Sequence, residues 1–200
     1  MNSILNFIFK GFCQKGCFIE ICGESDIGYE QLLMGIAKEA IMSDILSLYV
    51  DSTGRFRPER ILQMINSDDL SILKGLDFLS ATDSTGLVDR INRIFSLNKY
   101  DLIIWDGLAY PFFETSSSHK LGLVSRMLSI YAVSGHKVIA SDPLVEITGL
   151  PAGHIYTDPY VHLRLILKRK GNKLFIEGAN FKKEYIVTSN GVFFTSTTDP

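Results

Sequence analysis

Eight residues between a strand-like run and a helical pattern stand where a phosphate-binding loop would stand: Gly23-Glu24-Ser25-Asp26-Ile27-Gly28-Tyr29-Glu30. Before them runs Cys17-Phe18-Ile19-Glu20-Ile21-Cys22. Such a loop, G-x-x-x-x-G-K-[ST], grips the β- and γ-phosphates with its lysine and holds magnesium with its hydroxyl. Here Tyr29 takes the place of the lysine and Glu30 the place of the hydroxyl residue, while Asp26 adds another carboxylate inside the loop. Two carboxylates repel a triphosphate, and no cation in the motif offsets them. The expectation is a degenerate nucleotide-binding loop. Gly23 and Gly28 then serve the turn and the approach of the helix, and Tyr29 fills or caps the cradle.

The elements that would position this loop alternate. Helical spacing through Leu32, Leu33, Ile36, Ala37, Ala40 and Ile41 follows it. Short apolar runs at 45–50, 76–80, 101–106 and 136–140 predict strands, the first reading as a buried parallel one. Between them lie helical patterns at 58–65, opened by Pro58, at 85–97 and at 120–133. This alternation predicts an α/β fold with a mostly parallel central sheet flanked by helices. The last quarter changes: Gly171-Asn172 and Asn190-Gly191 sit between strand-like runs at 161–168 and 173–177, and at 185–188 and 192–195. They predict antiparallel C-terminal hairpins.

Two hundred residues, 46% of them apolar, suit one domain with a sizeable core. A formal charge of −2 gives no bulk attraction to nucleic acid, although a local basic patch would not show in it. The slightly positive mean hydropathy hints at a buried interface. Cys13, Cys17 and Cys22 lack the second cluster a zinc site needs and read as small buried thiols. The apolar start, Met1 to Phe9, is too short to span a membrane and reads as an amphipathic segment. The expectation is an intracellular chain with no membrane association.

One segment is more specific. Arg55-Phe56-Arg57-Pro58-Glu59-Arg60-Ile61 closely resembles the F-R-P-E-R-[IL] segment of the RecA-type recombinases, in the archaeal RadA/RadB and eukaryotic recombinase paralogue branch. Three weaker blocks fall in that family's order. Gly23 to Glu30 aligns with its P-loop, Asp101 to Asp106 with its Walker B strand, and Pro151-Ala152-Gly153-His154 with its P-x-G-G segment. The resemblance covers nearly the whole chain and implies a single RecA-like P-loop core over 1–200, without the N-terminal helical domain of full-length recombinases. Where the family has a water-activating Glu, Asp51-Ser52-Thr53-Gly54 has Thr53, which has no useful basicity at neutral pH. The family's Asn-Gln sensor reads Ser141-Asp142, and the DNA-binding loop shrinks to Pro143 to Leu150. Asp106 remains as half of a magnesium site.

The resemblance therefore implies a catalytically inactive recombinase paralogue, an accessory or scaffold factor in homologous recombination and DNA repair. It would need no cofactor or metal and would act through contacts with a recombinase or another paralogue. Its compartment would be the cytoplasm in an archaeon and the nucleus in a eukaryote. The alternative is a divergent ATP-binding ATPase of the same superfamily with an unusual P-loop; a third reading is a regulatory or nucleic-acid-binding module outside recombination. Single-stranded DNA is a candidate further partner, through Lys168, Arg169, Lys170, Lys173, Lys182 and Lys183. Asp51 and Asp106 should end neighbouring strands, as vestigial positions rather than an acid–base pair. Tyr110, Phe112 and Phe113 could be a partner patch or core. The four histidines show no ligand spacing, and Ser116-Ser117-Ser118 reads as an exposed loop.

Overall fold

Strands β1 (Cys17–Gly23), β2 (Ser47–Asp51) and β4 (Leu102–Asp106) are buried along their whole length. Burial on both faces is what continuous apolar runs require, and parallel pairing with helices on each side supplies it. The fold is a computed structural model that describes residues 4–12, 16–24, 27–113, 117–179 and 181–195. It is α/β, with a nine-stranded sheet in the order β3-β2-β4-β5-β1-β6-β7-β8-β9. Added to the three strands above are β3 (Leu76–Ser80), β5 (Lys137–Pro143), β6 (Leu163–Lys170), β7 (Lys173–Gly178), β8 (Phe181–Thr188) and β9 (Gly191–Phe194). Pairing is parallel from β3 to β6 and antiparallel from β6 to β9.

Helices cover both faces. On one side α1 (Ile4–Phe12), α2 (Tyr29–Met42) and α3 (Pro58–Ile65) pack over Ile19, Ile21, Tyr49, Ile104 and Ile139. On the other, α4 (Leu87–Ser96) and α5 (Ser118–Val133) cover Phe18, Val50, Trp105 and Val138. A short helix, α6 (His154–Thr157), sits beside α5, so this second layer stops near β6. No helix among the described residues is long and apolar enough to cross a membrane.

The sequence pattern anticipates most of these elements and misses four features. The apolar start is a real helix, α1, whose Phe7 packs on Phe181 and Phe194. Strand β6 begins two residues later than expected and pairs parallel with β1, because the connection from β5 through α6 returns the chain in the same direction. Strand β8 is twice its expected length: charged Lys182, Lys183 and Glu184 mask a strand whose pairing with β7 is set by Phe181 and Tyr185. Cys17 is disulfide-bonded, a correction to the reading of three thiols; spacing alone cannot place two sulfurs within bonding distance. Cys22 is the free, buried thiol among the described residues, and Cys13 lies outside them.

Two charges lie under the second helical layer. Glu20 of β1 is fully buried and pairs with Arg164 of β6, whose Nε donates to Glu20 Oε2 at 2.6 Å. Arg164 also reaches Asp158 at 2.7 Å. Burial pushes the Glu20 carboxyl up, with Arg164 opposing the shift. Truncating one partner of such a pair strands the other charge. Arg164→Met should therefore cost about 3–5 kcal/mol of stability in urea unfolding, and Glu20→Gln added to it should recover much of the loss.

Candidate functional site

The parallel register brings the ends of β2, β4 and β5 to one level: Asp51 lies beside Asp106, and Asp106 beside Ser141. β5 lies beside β1, and where that pair ends Leu144 N–H donates to Gly23 O at 2.8 Å. A Cβ on Gly23 would come within 2.7 Å of Ile27 and 3.0 Å of Leu167, so only glycine lets the loop approach β6. Gly28 has φ 93°, a left-handed turn that starts α2. Tyr185 of β8 donates its hydroxyl to Ile27 O at 2.9 Å and ties the loop down from beneath. Asp26 lies outside the described residues.

Tyr29 is turned inward. It is 8% exposed and packs with the core under α2. Burial pushes its hydroxyl up to about 12, and Tyr110, Asp106 and Asp142 push the same way while Arg55 opposes them. Glu30 is half-buried; burial raises its carboxyl and Arg55 counters the shift. Gly28, Tyr29, Glu30, Gln31 and Arg55 line a cleft of about 180 Å³.

The carboxylates at the strand ends are occupied by the chain itself. Asp51 Oδ1 accepts from Thr53 N–H at 2.8 Å, from Thr53 Oγ1 at 2.8 Å and from Gly54 N–H at 2.9 Å, while Oδ2 accepts from Phe56 N–H at 3.0 Å. Burial raises this carboxyl, but the hydrogen bonds outweigh it and hold the group below its ordinary value. Asp51 is thus a loop cap, and Thr53 is one of its donors. Asp106 is fully buried; its Oδ1 accepts from Ser141 Oγ at 2.9 Å and its Oδ2 lies 3.3 Å from Thr53 Oγ1. Burial raises Asp106, with the Ser141 hydroxyl pulling back. Asp142 accepts from Ala109 N–H at 2.8 Å, but its Oδ2 is buried with no partner. Burial, with Glu20 adding to it, pushes that carboxyl well above the usual range.

Within the Arg55 to Ile61 segment, Phe56, Pro58, Arg60 and Ile61 have structural roles, while Arg55, Arg57 and Glu59 are exposed. Phe56 lies between Tyr49 and Phe78, with ring centroids at 4.5 and 4.8 Å. Arg57 is extended, as the residue before proline must be, and Pro58 opens α3. Arg60 donates to Thr188 O at 3.1 Å, and Ile61 is buried.

Lys168, Arg169, Lys170 and Lys173 lie toward the β6–β7 turn, where Lys170 is opposite Lys173, while Lys182 and Lys183 sit on β8. Lys168 and Lys182 both pair with Glu177, at 2.7 and 2.5 Å, and Lys173 pairs with Glu184 at 2.9 Å. Lys183 sits over the Phe7 ring. Arg169 and Lys170 are exposed near the turn. Of the aromatic trio, Phe112 is core, while Tyr110 and Phe113 are exposed and touch each other. Ser117 is buried against Ser84 and Ser118 starts α5, which corrects the reading of an exposed loop there; Ser116 lies outside the described residues. His162 accepts from Phe18 N–H at 3.0 Å and is structural. Among the described residues no group of three or more His, Cys, Asp or Glu side chains could hold a metal ion.

Sequence reasoning missed Arg55 as a cation facing the loop, because it reaches the cleft only through the turn after β2. It also missed the Glu20–Arg164 pair. The available signal was one Glu within an apolar strand.

The comparisons fit this architecture. No family model matches the chain, and no curated protein does. Among 468 matching chains of solved structures is one described as a crystal structure of the RadB recombinase, with a TM-score of 0.70 and 17% identity over 89% of this chain and 90% of that one. The chain therefore has the RecA-like core fold, with a mostly parallel sheet, surrounding helices and C-terminal antiparallel strands.

Two outcomes follow from the hydrogen bonds. Asp51→Ala leaves four donors without their acceptor and should cost about 1–3 kcal/mol in chemical denaturation. Burial raises the Asp142 carboxyl in the folded state above its unfolded value, so its contribution to stability falls as pH rises above about 4. Asp142→Asn should flatten that slope and stabilise the fold at neutral pH, measured by urea unfolding across pH 5 to 8.

Proposed function

We propose that this chain is a non-hydrolysing protein related to the recombinases, acting through contacts with recombinase-family partners in recombination and repair. The carrying observation is the inward Tyr29: the position that would present the phosphate-gripping lysine is a core aromatic. Three further features support the reading. Thr53 stands where the family has a water-activating carboxylate and is a donor to Asp51. Asp106 is buried, bonded to Ser141 and raised by burial, a poor anion for magnesium. Glu30, in the loop itself, is raised by burial and further by Asp106.

On this reading the Gly23–Glu30 loop is a degenerate Walker A, the chain is one RecA-like core domain, and no nucleotide is required. Its working place is inside the cell, where recombination occurs. Direct contact with single-stranded DNA would come from Lys168, Arg169, Lys170, Lys173, Lys182 and Lys183. It would be weak, because three of the six already hold carboxylates. Exposed pairs are worth little, so phosphate could replace them at modest cost.

One observation favours a second reading, a divergent ATP-binding protein. Arg55 lines the cleft beside Gly28 and Gln31 and could supply a cation from outside the motif. Melting with and without magnesium-ATP separates the two. Ligand at a hundredfold excess over Kd stabilises a native state by about 2.7 kcal/mol. The expected result is no upward shift, no phosphate release, and a complex with a recombinase-family protein in size-exclusion chromatography with light scattering. A clear shift that disappears in Arg55→Ala would favour the ATP-binding reading.

A further inference from the structure

The second helical layer stops near β6, so the antiparallel extension turns one face to solvent. Strand pairing decides which residues stand on it. Ile166 lies beside Cys22 of β1 and carries that face onward. Ile166 is opposite Glu177, Lys168 opposite Phe175, and Lys170 opposite Lys173. On the next strand Phe175 meets Glu184 and Glu177 meets Lys182, and beyond them Ile186 is opposite Phe193.

Ile166, Phe175 and Ile186 therefore form a diagonal stripe, each one strand over and two residues further along than the last. One such step is about 8 Å, which makes the stripe about 17 Å long. Phe193 widens its far end. Ile186 is 46% exposed, and the other three are half-buried. An antiparallel face left to water alternates to polar side chains, whereas this one has an apolar line through its middle. The charges beside the line are uneven. Lys168, Lys170 and Lys173 lie on one flank, and Glu177, Lys182 and Glu184 on the other.

We propose that this face docks an acidic amphipathic helix of a partner protein. The stripe has the length of about eleven helical residues, or three turns. A helix there would continue the layer that α5 and α6 form on the same side of the sheet. The flank of three lysines calls for carboxylates along one edge of that helix. Lys168 and Lys173 now reach across to Glu177 and Glu184 at 2.7 and 2.9 Å, and exposed pairs of this kind exchange partners at little cost. The same details disfavour a nucleic-acid strand. Lys182 Nζ stands over the Phe175 ring at 4.5 Å, on the π-face that a base would stack against. Glu177 and Glu184 would repel its phosphates. The inference does not rest on the recombination reading, since it uses only this surface.

The probe is a stapled helical peptide of about 15 residues, with leucines along one face and glutamates on both flanks. Titrated into the isotope-labelled whole chain, it should bind with a Kd on the order of 100 µM or tighter. The amide resonances that shift should be those of β6, β7 and β8. The same peptide with lysine in place of glutamate should bind at least about tenfold more weakly. Ile186→Asp, at an exposed position, should weaken the glutamate peptide at least about tenfold, with unchanged circular dichroism. Lys168→Glu combined with Lys170→Glu should do the same and should improve binding of the lysine peptide. Failure of the glutamate peptide to bind, equal binding of the two peptides, shifts confined to other elements, or indifference to either variant overturns the proposal. So does an oligothymidylate of similar length that binds this face more tightly than the glutamate peptide, a result that assigns the face to nucleic acid.

Discussion

The structure depends on a level parallel register at the centre of its sheet. Because β2, β4 and β5 end together, Asp51, Asp106 and Ser141 come side by side, next to the strand from which the loop after β1 leaves. Backbone N–H groups beyond the strand ends then need acceptors. Asp51 takes those of residues 53, 54 and 56, Asp142 takes that of residue 109, and Ser141 receives that of residue 107. The shelf that carries ligand chemistry in open α/β folds is here held largely by the chain's own turns.

That arrangement has an electrostatic consequence. Asp106, Asp142 and Glu20 all lie buried on or near one edge, and only Glu20 has an arginine against it. Asp106 and Asp142 are pushed toward the neutral form by burial, and the Asp142 carboxyl is pushed furthest. Three buried carboxyls thus lie close to one edge of the sheet. Arg55, exposed at the mouth, is the cation that offsets them. Loop sequence and shelf electrostatics thus point the same way, which is why the functional reading turns from chemistry toward surfaces.

The surfaces divide by charge. The antiparallel extension carries five of the twelve lysines, three of them paired with Glu177 and Glu184 on neighbouring strands. The turn after β5 and the short helix α6 expose Ile147 and Ile155. Lysines on β6 and β8 keep the solvent side of that extension from collapsing against other apolar surfaces, and no similar protection covers Ile147 or Ile155.

The sequence by itself determined the alternation of strands and helices, the place of the loop, the glycines that shape it and the two hairpin turns. These follow from local sterics and from the apolar period, which each segment carries within itself. The F-R-P-E-R segment pointed to the fold for the same reason: Phe56, Pro58 and Ile61 are constrained by nearby packing. Only the tertiary structure decided that Tyr29 faces inward, that Arg55 reaches the cleft, that Glu20 meets Arg164 across 144 positions, and that Ile147 stands free of cover. Each of these is a relation between distant segments, fixed when helices dock on the sheet, and no local period or propensity encodes it.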